Sequence, residues 1–308
     1  MDKKELLKAY ETMLLIRNLE LALIKYYYDN RIMSFVHYSV GQEAVSCGAT
    51  QNLIEGDKVF GNHRSHALAI SMQIDLGRFV AELLGKKAGV SGGAGGSMHQ
   101  NWQKTGLVGT TPLLAAAVPL AAGAAFAINY NQQKNVALCF IGDGASEEGV
   151  GIFETCNLAA VFNLPLVIIL ENNSYSVMTT TEQRRGKNYN LQKIVEGLSC
   201  NYLLVNGDDL EDVRKKTKHA IQRARENKEC WVVECLVTRE MAHSAPIKDD
   251  NKKYRKEGDL PEDRAKKDCV ANLRKKLQLL VRDEDLEEVE LRVGQKVQDA
   301  MEFGINAE

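Results

Sequence analysis

Residues 136–177 read VALCFIGDGASEEGVGIFETCNLAAVFNLPLVIILENNSYSV, and this stretch decides the fold. The run 136–141 is continuously apolar and breaks at Gly142-Asp143-Gly144. A helical pattern follows near 148–162, and a second apolar run, 166–170, ends in Glu171-Asn172-Asn173. Short runs without polar alternation are the mark of strands covered on both faces. Strand, helix and strand at this spacing form a crossover unit, which joins parallel strands and is right-handed. The two strand ends then lie side by side. Asp143 and Asn173 leave the same end of the sheet, the end at which open parallel sheets bind ligands.

The rest of the chain repeats the alternation. Further strands are predicted at 58–60, 202–205 and 231–237, and helices at 3–30, 41–53, 113–130 and 210–226. The helix at 113–130 is apolar all round, which predicts burial. Pro119 should start or kink it. A charged helical segment, 260–303, closes the chain. The fold class expected is α/β, a parallel sheet with helices on both faces. No repeat or linker divides the chain, so residues 1–308 are expected to form one domain. The segments 179–190 and 243–258 are polar and read as long loops of the functional kind.

Composition sets limits. The 308 residues are 44 % hydrophobic and 26 % charged, with net charge −2. Such a balance argues against a nucleic-acid surface, which would be strongly basic. No apolar run is long enough for a membrane span or a signal peptide. Seven cysteines without a CxxC pair read as reduced thiols, hence a cytoplasmic protein, and Cys139 as a core residue. The glycine-rich loop 89–96 lacks the Gly-Lys-Ser/Thr ending of a nucleotide loop and does not fit GxGxxG.

The chemistry resides in the two strand ends. Gly142 and Gly144 let backbone N–H groups approach phosphate oxygens, and a helix after Gly144 can aim its positive end at the same anion. One carboxylate (Asp143), one amide oxygen (Asn173) and a backbone carbonyl suit Mg²⁺, which shares its sphere with phosphates and water. Soft ligands are missing. Taken singly, Gly-Asp-Gly is an ordinary turn and Asn-Asn a polar loop; the crossover between them is what makes a site. Glu147 and Glu148 are read as acids complementing a helix N-terminus, not as ligands.

GDGASEEG…ENNSYSV resembles the thiamine-diphosphate motif of the alpha subunits of 2-oxo-acid dehydrogenases, the pyruvate, branched-chain and acetoin enzymes among them. The resemblance extends to Gly41-Gln42-Glu43-Ala44, His63-Arg64-Ser65-His66, 81–86 leading into Gly95-Gly96-Ser97-Met98-His99, and His243-Ser244 with Tyr254-Arg255. It implies thiamine diphosphate and Mg²⁺ as cofactors. Asp143 and Asn173 would hold the metal by side chains and Tyr175 by its carbonyl. Gly144 and Ala145 would give backbone contacts to the diphosphate, and Arg64, assisted by His63, would pair with its terminal phosphate. His243 would sit at the reactive end, Val177, or Met178 in its place, under the bent cofactor, and Leu114 at the aminopyrimidine. His66 has two readings, a direct role in catalysis or a hydrogen bond that holds Arg64. His37, His99 and His219 are read as surface or loop-stabilising groups.

The family's activating glutamate lies in a second, pyrimidine-binding domain, for which this chain has no room. The resemblance therefore implies a beta subunit, a two-alpha two-beta assembly, and decarboxylation of a small 2-oxo acid with transfer to a lipoyl acyltransferase component. Two alternatives stand beside it: a stand-alone decarboxylase or carboligase, and a non-catalytic cofactor-binding scaffold. The chain departs from the family pattern at Pro112-Leu113-Leu114-Ala115, at Gly149-Val150-Gly151 and at 245–250, which places its substrate and acceptor in question.

Overall fold

The apolar runs pair as parallel neighbours in a computed structural model, which describes residues 1–32, 34–247, 254–255, 263 and 265–308. The strands are β1 (Lys58–Gly61), β2 (Leu107–Thr110), β3 (Ala137–Gly142), β4 (Leu166–Asn172), β5 (Tyr175–Ser176), β6 (Thr179–Thr180), β7 (Asn201–Asn206) and β8 (Cys230–Leu236). Six form one parallel sheet in the order β2-β1-β3-β4-β8-β7, and β5 and β6 pair as a small antiparallel hairpin. Register sets the site: β3 and β4 run in step from Ala137 opposite Leu166 to Gly142 opposite Glu171.

The helices are α1 (Lys3–Tyr28), α2 (Glu43–Thr50), α3 (His66–Ser71), α4 (Leu76–Leu83), α5 (Ala117–Tyr130), α6 (Phe153–Phe162), α7 (Thr181–Arg184), α8 (Leu191–Gly197) and α9 (Leu210–Asn227), followed by Cys269–Gln278 and Asp283–Asn306. Two cores lie on opposite faces of the sheet. Leu138 and Phe140 of β3 and Val167 and Ile169 of β4 face α1–α4, α9 and the last two helices. Cys139 and Ile141, with Leu166, Ile168 and Leu170, face α5, α6 and α8. This alternation explains the unbroken apolar runs: both faces of each central strand are covered. All seven cysteines are buried and free. No helix among the described residues is long and apolar enough to cross a membrane.

Several elements differ from the sequence reading. β2, α3, α4 and α8 were not predicted; they are short, and β2 contains Gly109, so periodicity has little to register. The helix after Gly144 begins only at Phe153, because a single 3₁₀ turn, Ala145–Glu147, and the glycines at 149 and 151 intervene. The expected helix dipole is thus replaced by one short turn starting at Gly144. The C-terminal segment is two helices, and residues 260–262 and 264 of it lie outside the described residues. Of the loop read at 243–258, only 243–247 and 254–255 are described.

α5 departs most. It starts at Ala117, which puts Pro119 in the first turn, where its missing N–H costs nothing. Val118, Ala121, Ala122, Ala125 and Ile128 are buried, but Leu120, Phe126 and Tyr130 are exposed. Phe126 meets Phe162 of α6 edge-on at 5.4 Å, and Phe153, Leu158 and Val161 of α6 are exposed as well. The helix is apolar all round yet covered on one side only, so α5 and α6 together present a bare apolar face.

Candidate active site at the strand ends

β1, β3 and β4 are adjacent, so their C-terminal ends deliver three loops to one place. The helices after β1 pack on one face of the sheet and the helix after β3 on the other. Such a reversal opens a crevice between the strands, the customary position of a ligand in this architecture. A cleft of about 90 Å³ lies there. Its lining brings together His63, Arg64, Leu114, Gly142, Asp143, Gly144, Ala145, Asn173, Tyr175, Val177 and His243, every residue singled out from the sequence except His66.

His66 is fully buried away from the cleft. Its Nδ1 lies 3.0 Å from Glu20 and its Nε2 2.8 Å from the Ser97 hydroxyl, and it bonds to neither Arg64 nor the cleft. Arg64 is instead held by backbone: it donates to the Tyr38 carbonyl and, at 3.4 Å, to the His243 carbonyl.

The metal-type donors are arranged tightly. Asp143 is 1 % exposed. Burial pushes its carboxyl up, against the opposing pull of the Arg184 guanidinium that binds it. Asn173 accepts from the Tyr175 N–H at 3.2 Å and donates to the Gln42 carboxamide oxygen at 3.1 Å. The first bond fixes which end of the Asn173 amide is oxygen, because a backbone N–H can only donate, and Gln42 then holds the amide nitrogen. Gln42, buried at the mouth of α2, is thus a site residue that sequence reasoning passed over; its only signal was its place in the Gly-Gln-Glu-Ala segment. Loss of such an orienting partner typically weakens metal affinity about 10- to 100-fold. Gln42→Ala is expected to fall in that range when Mg²⁺ binding is followed by calorimetry with thiamine diphosphate present. An unchanged affinity would remove Gln42 from the site.

Glu171 and His37 were also missed. Glu171 lines the cleft, and burial raises its carboxyl to about 7, partly offset by Arg64. His37 is buried, its Nδ1 without a hydrogen-bond partner among the described residues, and its ring lies 4.4 Å from that of His63 and 4.9 Å from that of His243. Burial lowers all three imidazoles, His63 to about 3 and His243 to about 4, so the cluster is neutral near pH 7. The signal for His37 was weak because it sits on an irregular stretch with no periodicity to give its direction.

Three features fit a metal held together with a diphosphate. Arg64 is a buried cation, and among the described residues no carboxylate lies within ion-pairing distance of it. Asp143 is a buried anion paired to a side chain from a neighbouring loop. At Gly144 a Cβ would come within 2.6 Å of the Ser176 hydroxyl, so only glycine lets the β3 turn approach the hairpin, whereas a Cβ on Gly142 would meet no protein atom within 4 Å. Val177, at the rim, is held at φ +56°, a conformation costing a β-branched residue about 1–3 kcal/mol. Its carbonyl accepts from Arg239 at 3.1 Å, and its side chain is exposed at the cleft.

A buried carboxylate and amide beside a buried guanidinium, at the strand ends of a doubly covered parallel sheet, define an α/β protein with a candidate cofactor cleft. The chain matches the family model described as dehydrogenase E1 component over residues 11–307. It is 34 % identical over 270 residues to the acetoin:2,6-dichlorophenolindophenol oxidoreductase alpha subunit of Cupriavidus necator, covering 88 % of this chain and 80 % of the relative. Identity to the subunit of the same name from Bacillus subtilis is 31 % over 311 residues, 98 % and 90 % of the two chains. Against the pyruvate dehydrogenase E1 component alpha subunit of Rickettsia bellii it is 33 % over 307 residues, 99 % and 92 %. The chain belongs to the dehydrogenase E1 component family, among its alpha subunits. Membership makes it a component of a thiamine-diphosphate-dependent 2-oxo-acid dehydrogenase and implies a beta subunit as partner.

Proposed function

We propose that this chain is the diphosphate- and Mg²⁺-holding half of an enzyme that decarboxylates a small 2-oxo acid, in a two-alpha two-beta assembly that passes the product to a lipoyl carrier. The buried Arg64 carries this reading: among the described residues no carboxylate pairs with it, Glu171, Glu20 and Asp143 act on it only from a distance, and a ligand anion would offset its desolvation. When bound, thiamine diphosphate supplies the electron sink for decarboxylation.

The chain's own residues bind, orient and exclude water. Asp143 and Asn173, with the Tyr175 carbonyl, would hold the metal, and Gln42 keeps the Asn173 oxygen turned toward it. Arg64 would take a terminal phosphate while the turn at Gly144 and Ala145 offers backbone N–H groups. His63, His243 and His37, kept neutral, place imidazole donors beside the reacting end without adding positive charge. Val177 presents a rigid apolar edge to the cofactor.

The bare apolar face of α5 and α6, and exposed Leu113 and Leu114 near the cleft, suit a protein covering the cofactor. Calorimetry of thiamine diphosphate binding to the chain with its beta subunit tests the proposal. Binding should require Mg²⁺, and Arg64→Ala should weaken it about 10-fold or more, the loss of a charge-assisted phosphate contact worth roughly 1.5–3 kcal/mol. Binding that ignores both Mg²⁺ and Arg64 would defeat the assignment.

A further inference from the structure

The polar segment after the metal-type loop, read from the sequence only as a loop, reaches back into the site. It begins with the β5–β6 hairpin and the one-turn helix α7. Reciprocal bonds fix α7: the Gln183 N–H donates to the Thr180 hydroxyl at 3.3 Å, and the Thr180 N–H donates to the Gln183 carboxamide at 3.0 Å. This aims Arg184 at the cleft wall. One terminal nitrogen of its guanidinium donates to Asp143 Oδ2, and the other donates to Glu147 Oε2 at 2.6 Å. Arg185 donates to the other oxygen of Glu147 at 2.7 Å and stacks over Tyr189 at 4.7 Å. Arg184 is 14 % exposed and Asp143 2 % by side chain, so the pair is largely shut off from water.

We infer that Arg184 is the resident counter-cation of Asp143 in the cofactor-free chain, and that loading the site exchanges this guanidinium for the divalent ion. The inference rests on the metal role proposed for Asp143. A buried carboxylate needs a cation at all times, and here a guanidinium provides one before any metal arrives. A divalent ion and a guanidinium on one carboxylate in a poorly solvated site repel each other strongly. Glu147 makes the exchange local: it holds the second face of Arg184 and the Nε of Arg185, so Arg184 can release Asp143 and remain anchored. Free metal alone must therefore compete with Arg184. Metal arriving with a diphosphate brings excess negative charge that the displaced guanidinium can face. The arrangement disfavours a site loaded with bare metal and favours joint loading.

Mn²⁺ binding to the whole chain with its beta subunit, followed by electron paramagnetic resonance, tests this without any turnover. In the absence of thiamine diphosphate, Arg184→Gln is expected to bind Mn²⁺ at least about 10-fold more tightly than the parent, the scale of one charge-assisted contact. Its metal-free form should melt at a lower temperature, because Asp143 is left buried without a cation. Arg184→Lys, which keeps the charge, should stay near the parent in both measurements and guards against a folding defect in the glutamine variant. Equal Mn²⁺ affinity in the parent and Arg184→Gln would overturn the exchange. Should the parent bind no Mn²⁺ even with thiamine diphosphate, the metal role of Asp143 itself fails, a different result from the first.

Discussion

Asp143→Ala is expected to abolish retention of thiamine diphosphate and Mg²⁺ while leaving the chain folded. Asp143 is the carboxylate at the end of β3, level with the end of β4, and the neighbouring donors are an amide and a carbonyl. Neutral oxygens alone hold Mg²⁺ poorly, since the ion gives up its water reluctantly. Groups that merely orient a metal ligand are worth about 10- to 100-fold in affinity, so loss of the carboxylate ligand itself should cost at least roughly 100-fold. The fold should survive, because Arg184 keeps its bond to Glu147 and the desolvated carboxylate is removed along with its burial cost. Calorimetry of cofactor binding and a thermal melt of the same preparation separate the two effects. Cofactor affinity unchanged in a folded variant would take the metal away from Asp143.

The second large effect concerns turnover. The chain purified without its beta subunit is expected to show no measurable decarboxylation of any 2-oxo acid, assayed with an artificial electron acceptor. Adding the beta subunit should restore it. The cleft is lined by donors for a metal and phosphates and by two imidazoles, His63 and His243, against which His37 packs. Beside it, Leu113, Leu114 and Val177 are exposed, apolar surface that a second subunit would cover. Positioning supplies most of what a protein adds to cofactor chemistry, and a site open on one side cannot provide it. Appreciable turnover by the isolated chain would refute the two-subunit reading.

The strand ends were the legible part of this protein. Buried parallel strands write themselves as unbroken apolar runs, so β3, β4 and β8 and the crossover between Asp143 and Asn173 could be read directly. What could not be read depends on contacts between distant segments. Gln42 acts on Asn173 across 131 positions, and Arg184 reaches Asp143 across 41. Nothing in the local pattern of either announces a partner. His66 shows the reverse: its motif suggested chemistry, but the turn after β1 sends its ring inward to Glu20 and Ser97. α5 was misread for a related reason. An apolar helix buried by its own chain and one reserved for another chain have the same sequence, and only Leu120, Phe126 and Tyr130 left bare tell them apart.

That bare surface bears on how the protein is made in a cell. A copy synthesised in excess of its counterpart carries Phe126, Tyr130, Val161 and Phe162 to the solvent, the sort of surface that chaperones and proteases recognise in orphan polypeptides. Surplus copies are expected to be degraded faster than paired ones, a difference that pulse-chase labelling would show.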